Sequence, residues 1–181
     1  YISNMNKKIL LTSGCSFSTG FGIPNIIHPM SDEDWKQRCE SRWSYFLSQE
    51  LNLTEENIGS DGSSNNSILR SIIEWISNNK SSLDDIVLVV GWTTTGRKEF
   101  FNSLFNQYES VGFSYLPTDD NWPTSKWWET YISYFYNDIE QVDSLVLNMI
   151  ALQNICQSNK IPYYFFNSFW SFVDNENKVG G

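Results

Sequence analysis

Residues Ile86-Val87-Leu88-Val89-Val90 constrain this chain more than any other stretch. Five aliphatic residues in a row, introduced by Asp84-Asp85, are too short for a buried helix. They suit a strand covered on both faces, as in the middle of a parallel sheet. Other segments fit the same plan. Lys7–Thr12 reads as a short strand running into the small-residue turn Ser13-Gly14-Cys15-Ser16, and residues 18–36 read as a long loop. Arg42–Leu51 carries Trp43, Phe46, Leu47 and Leu51 at helical spacing. Asn57–Gly59 is a strand candidate, and Ser67–Ser77 a helix with its isoleucines on one side. Residues 110–128 read as irregular and aromatic, 129–158 as one long helix, and Ile161–Phe166 as the last strand, with Pro162 near its start where a strand tolerates proline. Alternating strands and helices predict a parallel sheet with helices on both faces.

Composition narrows the function. The 181 residues hold 12 Lys plus Arg against 21 Asp plus Glu, a net charge of −9, with no basic run. Such a surface repels a phosphate backbone, so nucleic acid is not an expected partner. No apolar stretch reaches the roughly 18 residues that span a bilayer, and no signal peptide precedes the first strand, so no membrane partner is expected. The expectation is a soluble, cytoplasmic protein, with a virion as the other setting. Aromatic residues make up 16% of the chain, enough to build a sizeable core. No linker is visible, so residues 1–181 are read as one domain. Cys15, Cys39 and Cys156 are odd in number and widely spaced, which argues against a disulfide framework and against a zinc site. No metal or organic cofactor is expected.

In open parallel sheets ligands bind beyond the carboxyl ends of the strands. Three glycine-containing polar loops follow strand candidates: Gly14–Ser18, Gly59–Ser63 and Gly91–Thr94. Placed along one edge, they offer a hydroxyl nucleophile and backbone N–H groups for a developing oxyanion, the parts needed for acyl transfer. The residues alone leave other roles open. Ser16 is either a nucleophile or a helix cap, Gly62 an oxyanion donor or only a left-handed turn residue, and Thr93 an oxyanion donor or a loop hydroxyl bonded to backbone. Cys15 reads as a buried inert thiol, and Asp32-Glu33-Asp34 as a solvated helix start. Trp122, Trp127 and Trp128 either wall a cleft or cover the core.

These three loops, in this order, resemble the conserved blocks of the SGNH (GDSL-type) hydrolases. Ser13-Gly14-Cys15-Ser16-Phe17-Ser18 is similar to the first block in its Gly-Cys-Ser-Phe form, Asn57–Asn65 to the second, and Val89–Thr94 to the third. The resemblance implies a flavodoxin-like three-layer α/β/α sandwich and a serine esterase acting on O-acyl esters, with a small-molecule or glycan ester as substrate. Ser16 would attack, its own N–H and that of Gly62 would hold the oxyanion, and Thr93 stands where the family carries asparagine. Gly91-Trp92 followed by hydroxyl residues and Arg97 is similar to members associated with bacteriophage genomes. The family's fourth block, Asp-x-x-His, has no match: Asp174-Asn175-Glu176-Asn177 has asparagine in place of the base. The only histidine, His28, sits in a loop and reads as an ordinary surface residue. The expectation is therefore a domain lacking its C-terminal block, with the base beyond residue 181. The alternative is an inactive SGNH-like binding or structural module, for example in a virion.

Overall fold

The computed structural model describes residues 8–22, 31–112 and 125–169, with backbone only for 125–128. Its centre is a four-stranded parallel sheet in the order β2-β1-β3-β6. The strands are β1 (Ile9–Ser13), β2 (Thr54–Asn57), β3 (Ile86–Trp92) and β6 (Tyr163–Asn167). Helices cover both faces, the arrangement of a flavodoxin-like α/β fold. β3 is buried along its whole length and pairs with β1 on one side and β6 on the other, which explains its unbroken aliphatic sequence.

Side chains alternate between the two faces. Leu11, Ile86, Leu88, Val90 and Trp92 face α4 (Asn65–Asn78) and α6 (Asp138–Ser158), meeting Ile68, Ile72 and Ile76 from the first and Leu145, Leu152 and Cys156 from the second. Leu10 and Val87, on the opposite face, are equally buried, and there Trp43 of α3 (Trp43–Leu51) packs edge-on against Phe166, ring centres 5.2 Å apart. The last strand starts at Tyr163, with Pro162 just before it, and Pro162 still accepts a bond from Leu88 N–H at 2.9 Å.

Three expectations are corrected. Residues 18–36 are not one loop. α1 is the single turn Ser16–Thr19, and α2 (Asp32–Glu40) starts within that range. Ser31 caps α2 through a reciprocal bond with Asp34, and three acids occupy its first turn, as read for Asp32-Glu33-Asp34. Residues 110–112 are not irregular. They end a hairpin of β4 (Arg97–Asn102) and β5 (Gln107–Gly112), antiparallel, turning through Asn106 in the left-handed region. The hairpin is tied to α4 where Arg70 holds Glu99 at 2.7 Å and lies over the Tyr108 ring, 4.4 Å from its centre. The long helix is two, α5 (Ser125–Tyr134) and α6, because the Asn137 side chain accepts from Ile139 and Glu140 N–H and starts a new helix. No helix among the described residues is long and apolar enough to cross a membrane.

Candidate functional site

Parallel strands put the carboxyl ends of β1, β2, β3 and β6 along one rim, so the three polar loops that follow the first three strands emerge side by side. Glycine sets how close they come. A Cβ on Gly14 would sit 2.9 Å from the Gly91 carbonyl oxygen and 2.1 Å from Ser18 Oγ. A Cβ on Gly59 would sit 3.0 Å from the Gly14 carbonyl oxygen. Three backbones thus stack closely: a side chain at Gly14 would collide with the Gly91 carbonyl, and one at Gly59 would have to push its neighbour aside by a few tenths of an ångström. Hydrogen bonds fix the contact: Ser60 N–H donates to Gly14 O at 3.2 Å, and Ile58 N–H to Thr12 O at 2.9 Å. Asn57 uses its whole amide on the same junction. Its Nδ2 donates to Ser18 O at 2.6 Å and Ser44 Oγ at 3.1 Å, while its Oδ1 receives Gly59 N–H at 2.9 Å.

Ser16 is the first residue of α1 and half-buried. The cap position belongs to Cys15, and no side chain caps that turn, so the capping role considered for Ser16 is not the one it plays. Cys15 is fully buried, and its thiol forms no disulfide. Gly62 has φ of +78°, a conformation that disfavours any side chain, and no described residue comes within 4 Å of where its Cβ would be. Neither the Ser16 nor the Gly62 N–H donates to an acceptor among the described residues.

Thr93 is only 1% exposed. Its backbone is clamped by Asn65, whose Oδ1 accepts Thr93 N–H at 2.9 Å and whose Nδ2 donates to Thr93 O at 3.1 Å. Its hydroxyl accepts from Arg97 Nη1 at 3.2 Å, and the same nitrogen donates to Ser63 O at 3.2 Å. The hydroxyl is therefore bonded to a side chain, not to backbone, and it lies under the guanidinium. Arg97 also stacks on Phe169, which follows β6, 5.8 Å from the ring centre. Phe169 in turn meets Phe17, the neighbour of Ser16, edge-on with ring centres 4.7 Å apart. All four strand ends thus contribute to one rim.

Sequence reasoning overlooked Arg38, Asn57 and Asn65. Arg38 is 4% exposed, and its Nη2 donates to both Asp61 oxygens, at 2.6 and 2.7 Å, while its Nε donates to Thr19 O at 3.1 Å. Thr19 Oγ1 also meets the Asp61 carboxylate. This network binds α2 to the first two loops and occupies Asp61, the acid next to Gly62. The hydroxyls of Thr12, Ser13, Ser18 and Ser168 and the Trp92 indole N–H are buried without a hydrogen-bond partner among the described residues. His28, Trp122 and Asp174–Asn177 lie outside the described residues, as do the side chains of Trp127 and Trp128. No group of three His, Cys, Asp or Glu side chains able to hold a metal occurs among the described residues.

A family model, that of a family of unknown function (DUF6071), matches residues 29–180. No curated protein matches the chain.

Proposed function

The chain belongs to the DUF6071 family, and from its own rim we propose that it is a serine acylhydrolase acting on O-acyl esters, with Ser16 as the nucleophile. The observation that carries this reading is the glycine contact of the three loops, which brings the turn holding Ser16 against the loop holding Gly62. The first of these loops carries a half-buried hydroxyl that caps no helix, and among the described residues neither its own N–H nor that of Gly62 in the second loop has an acceptor. In the proposed reaction the Ser16 oxygen attacks the ester carbonyl and the Ser16 and Gly62 N–H groups receive the oxyanion. The alcohol leaves with the proton taken from Ser16, and water then releases the acid. In the SGNH hydrolases that the chain resembles, an Asp-x-x-His pair carries out that proton transfer. Thr93 contributes through Arg97, because its own hydroxyl is buried beneath that side chain.

The second reading is an inactive module of the same architecture that binds rather than cleaves. The buried Thr93 hydroxyl favours it, since one oxyanion donor is then missing, a loss worth about 10²–10³ in rate. Hydrolysis of 4-nitrophenyl acetate by the full-length protein separates the two. The esterase reading expects turnover that Ser16→Ala reduces to background. Equal rates in the two proteins remove Ser16 from the chemistry and leave the binding module.

A further inference from the structure

The chain has four arginines, Arg38, Arg42, Arg70 and Arg97. Three are neutralised inside the fold, by Asp61, Glu55 and Glu99 respectively. Two of these pairs use the same side of the guanidinium. Arg42 donates from Nε and Nη2 to the two Glu55 oxygens at 2.8 Å each. Arg70 donates from Nε at 3.3 Å and Nη2 at 2.7 Å to Glu99. That edge presents two parallel N–H groups matched to a carboxylate.

Arg97 differs. It is half-buried at the rim, and among the described residues it has no carboxylate partner. Its Nη1 anchors it to Ser63 O and Thr93 Oγ1, and Phe169 supports one face. Its stem lies across Gly112, where a Cβ would come within 3.0 Å of Arg97 Cγ, so glycine there makes room for it. The Nε and Nη2 groups give no hydrogen bond to the described residues. A guanidinium anchored by one nitrogen at the rim, whose carboxylate-matching edge has no partner among the described residues, is placed to take an anion.

We propose that the Nε/Nη2 edge of Arg97 binds a carboxylate of the substrate, so that the ester taken at this rim bears a free carboxylate group. The assignment rests on the esterase reading for the word ester, and on Arg97 alone for the carboxylate. A single fork with one positive charge matches a planar monoanion, and the other buried arginine near the rim, Arg38, is already spent on Asp61.

The test has a binding arm and a kinetic arm. In the first, the Arg97 Nε–H resonance of the full-length wild-type protein, assigned by its loss in Arg97→Lys, is followed by NMR during titration with benzoate and with its neutral analogue benzamide. Saturable movement with benzoate alone is expected, and no movement with benzoate overturns the proposal whatever the esterase activity. In the second, kcat/KM is measured for 4-acetoxybenzoate and for 4-acetoxybenzamide. Wild type should prefer the anion at least tenfold, and Arg97→Lys, which keeps the charge but not the fork, should lose most of that preference, read as the ratio of the two kcat/KM values within each protein. An equal fall for both esters overturns the proposal and makes Arg97 a general support of the site. Benzoate binding with no Ser16-dependent turnover of either ester upholds the carboxylate site and refutes the esterase reading.

Discussion

Replacing Asn65 with alanine tests how the third loop is held. The Asn65 amide pairs with the backbone of residue 93 as a neighbouring strand would, accepting one hydrogen bond at 2.9 Å and donating one at 3.1 Å. Asn65 is 5% exposed and Thr93 1%, so water does not replace these bonds without opening the rim. Truncation leaves a buried N–H and a buried C=O unmatched. At about 1–3 kcal/mol for each stranded group, and allowing for partial relaxation, the loss is about 2–4 kcal/mol. For a domain of this size that lowers Tm by roughly 4–16 °C. Asn65→Asp keeps the acceptor for Thr93 N–H but sets a buried carboxylate against the Thr93 carbonyl oxygen, so it does not rescue the loss. Urea unfolding of the three proteins at neutral pH, followed by far-ultraviolet circular dichroism, should place wild type above both variants. A stability for Asn65→Ala within about 0.5 kcal/mol of wild type, the range of an ordinary surface change, would show that the clamp holds nothing.

Other substitutions probe the same frame. Gly14→Ala pushes a methyl against Ser18 Oγ and the Gly91 carbonyl, and because Gly91 lies in the central strand the loops must part. A loss of about 1–3 kcal/mol is expected in urea unfolding, and Gly14→Ala with Ser18→Ala should recover only the Ser18 share. Arg42 and Glu55 are 13% and 8% exposed, so Arg42→Ala leaves a buried carboxylate alone and should cost about 3 kcal/mol, read by the same assay. Burial pushes the Cys156 thiol up to about 12, against about 8.5 in an unfolded chain. Between those values the unfolded chain has released the proton that the folded protein keeps. Stability therefore falls with rising pH, by up to about 1.4 kcal/mol per unit. Cys156→Ala should remove that contribution, so unfolding at pH 8, 9 and 10 should show a shallower slope for the variant. Parallel slopes would contradict the assignment.

The parts of the fold that local chemistry decides were readable in the sequence, and the parts that tertiary contacts decide were not. β3 announced itself because a strand buried on both faces has no polar position to interrupt it. The hairpin was invisible for the opposite reason. Arg97-Lys98-Glu99 opens β4 with charge, Phe101 and Tyr108 stay exposed as a packed ring pair, and no alternation marks either strand. The break between α5 and α6 had a signal in Asn137 with acids following, but Tyr134-Phe135-Tyr136 continues a helical pattern and masked it. At the rim, the small residues after the first two strands pointed to loops, whereas Gly91 and Trp92, read as the start of the third, belong to the end of β3, and glycine at 14, 59 and 91 marks where the backbones approach. Asn65 and Arg38 gave no such signal. Each sits in an ordinary helical position, and its importance comes from what another part of the chain leaves unpaired: the backbone of Thr93 in one case, and Asp61 with the Thr19 carbonyl in the other.

Reaction of the full-length protein with a fluorophosphonate, followed by mass mapping of the labelled peptide, tests the central claim most directly, because the reagent reports an activated serine and not stray hydrolysis. The account predicts one adduct, on Ser16, absent from Ser16→Ala and from protein unfolded in urea. Folded protein that takes no label, or label that persists in Ser16→Ala, would contradict it.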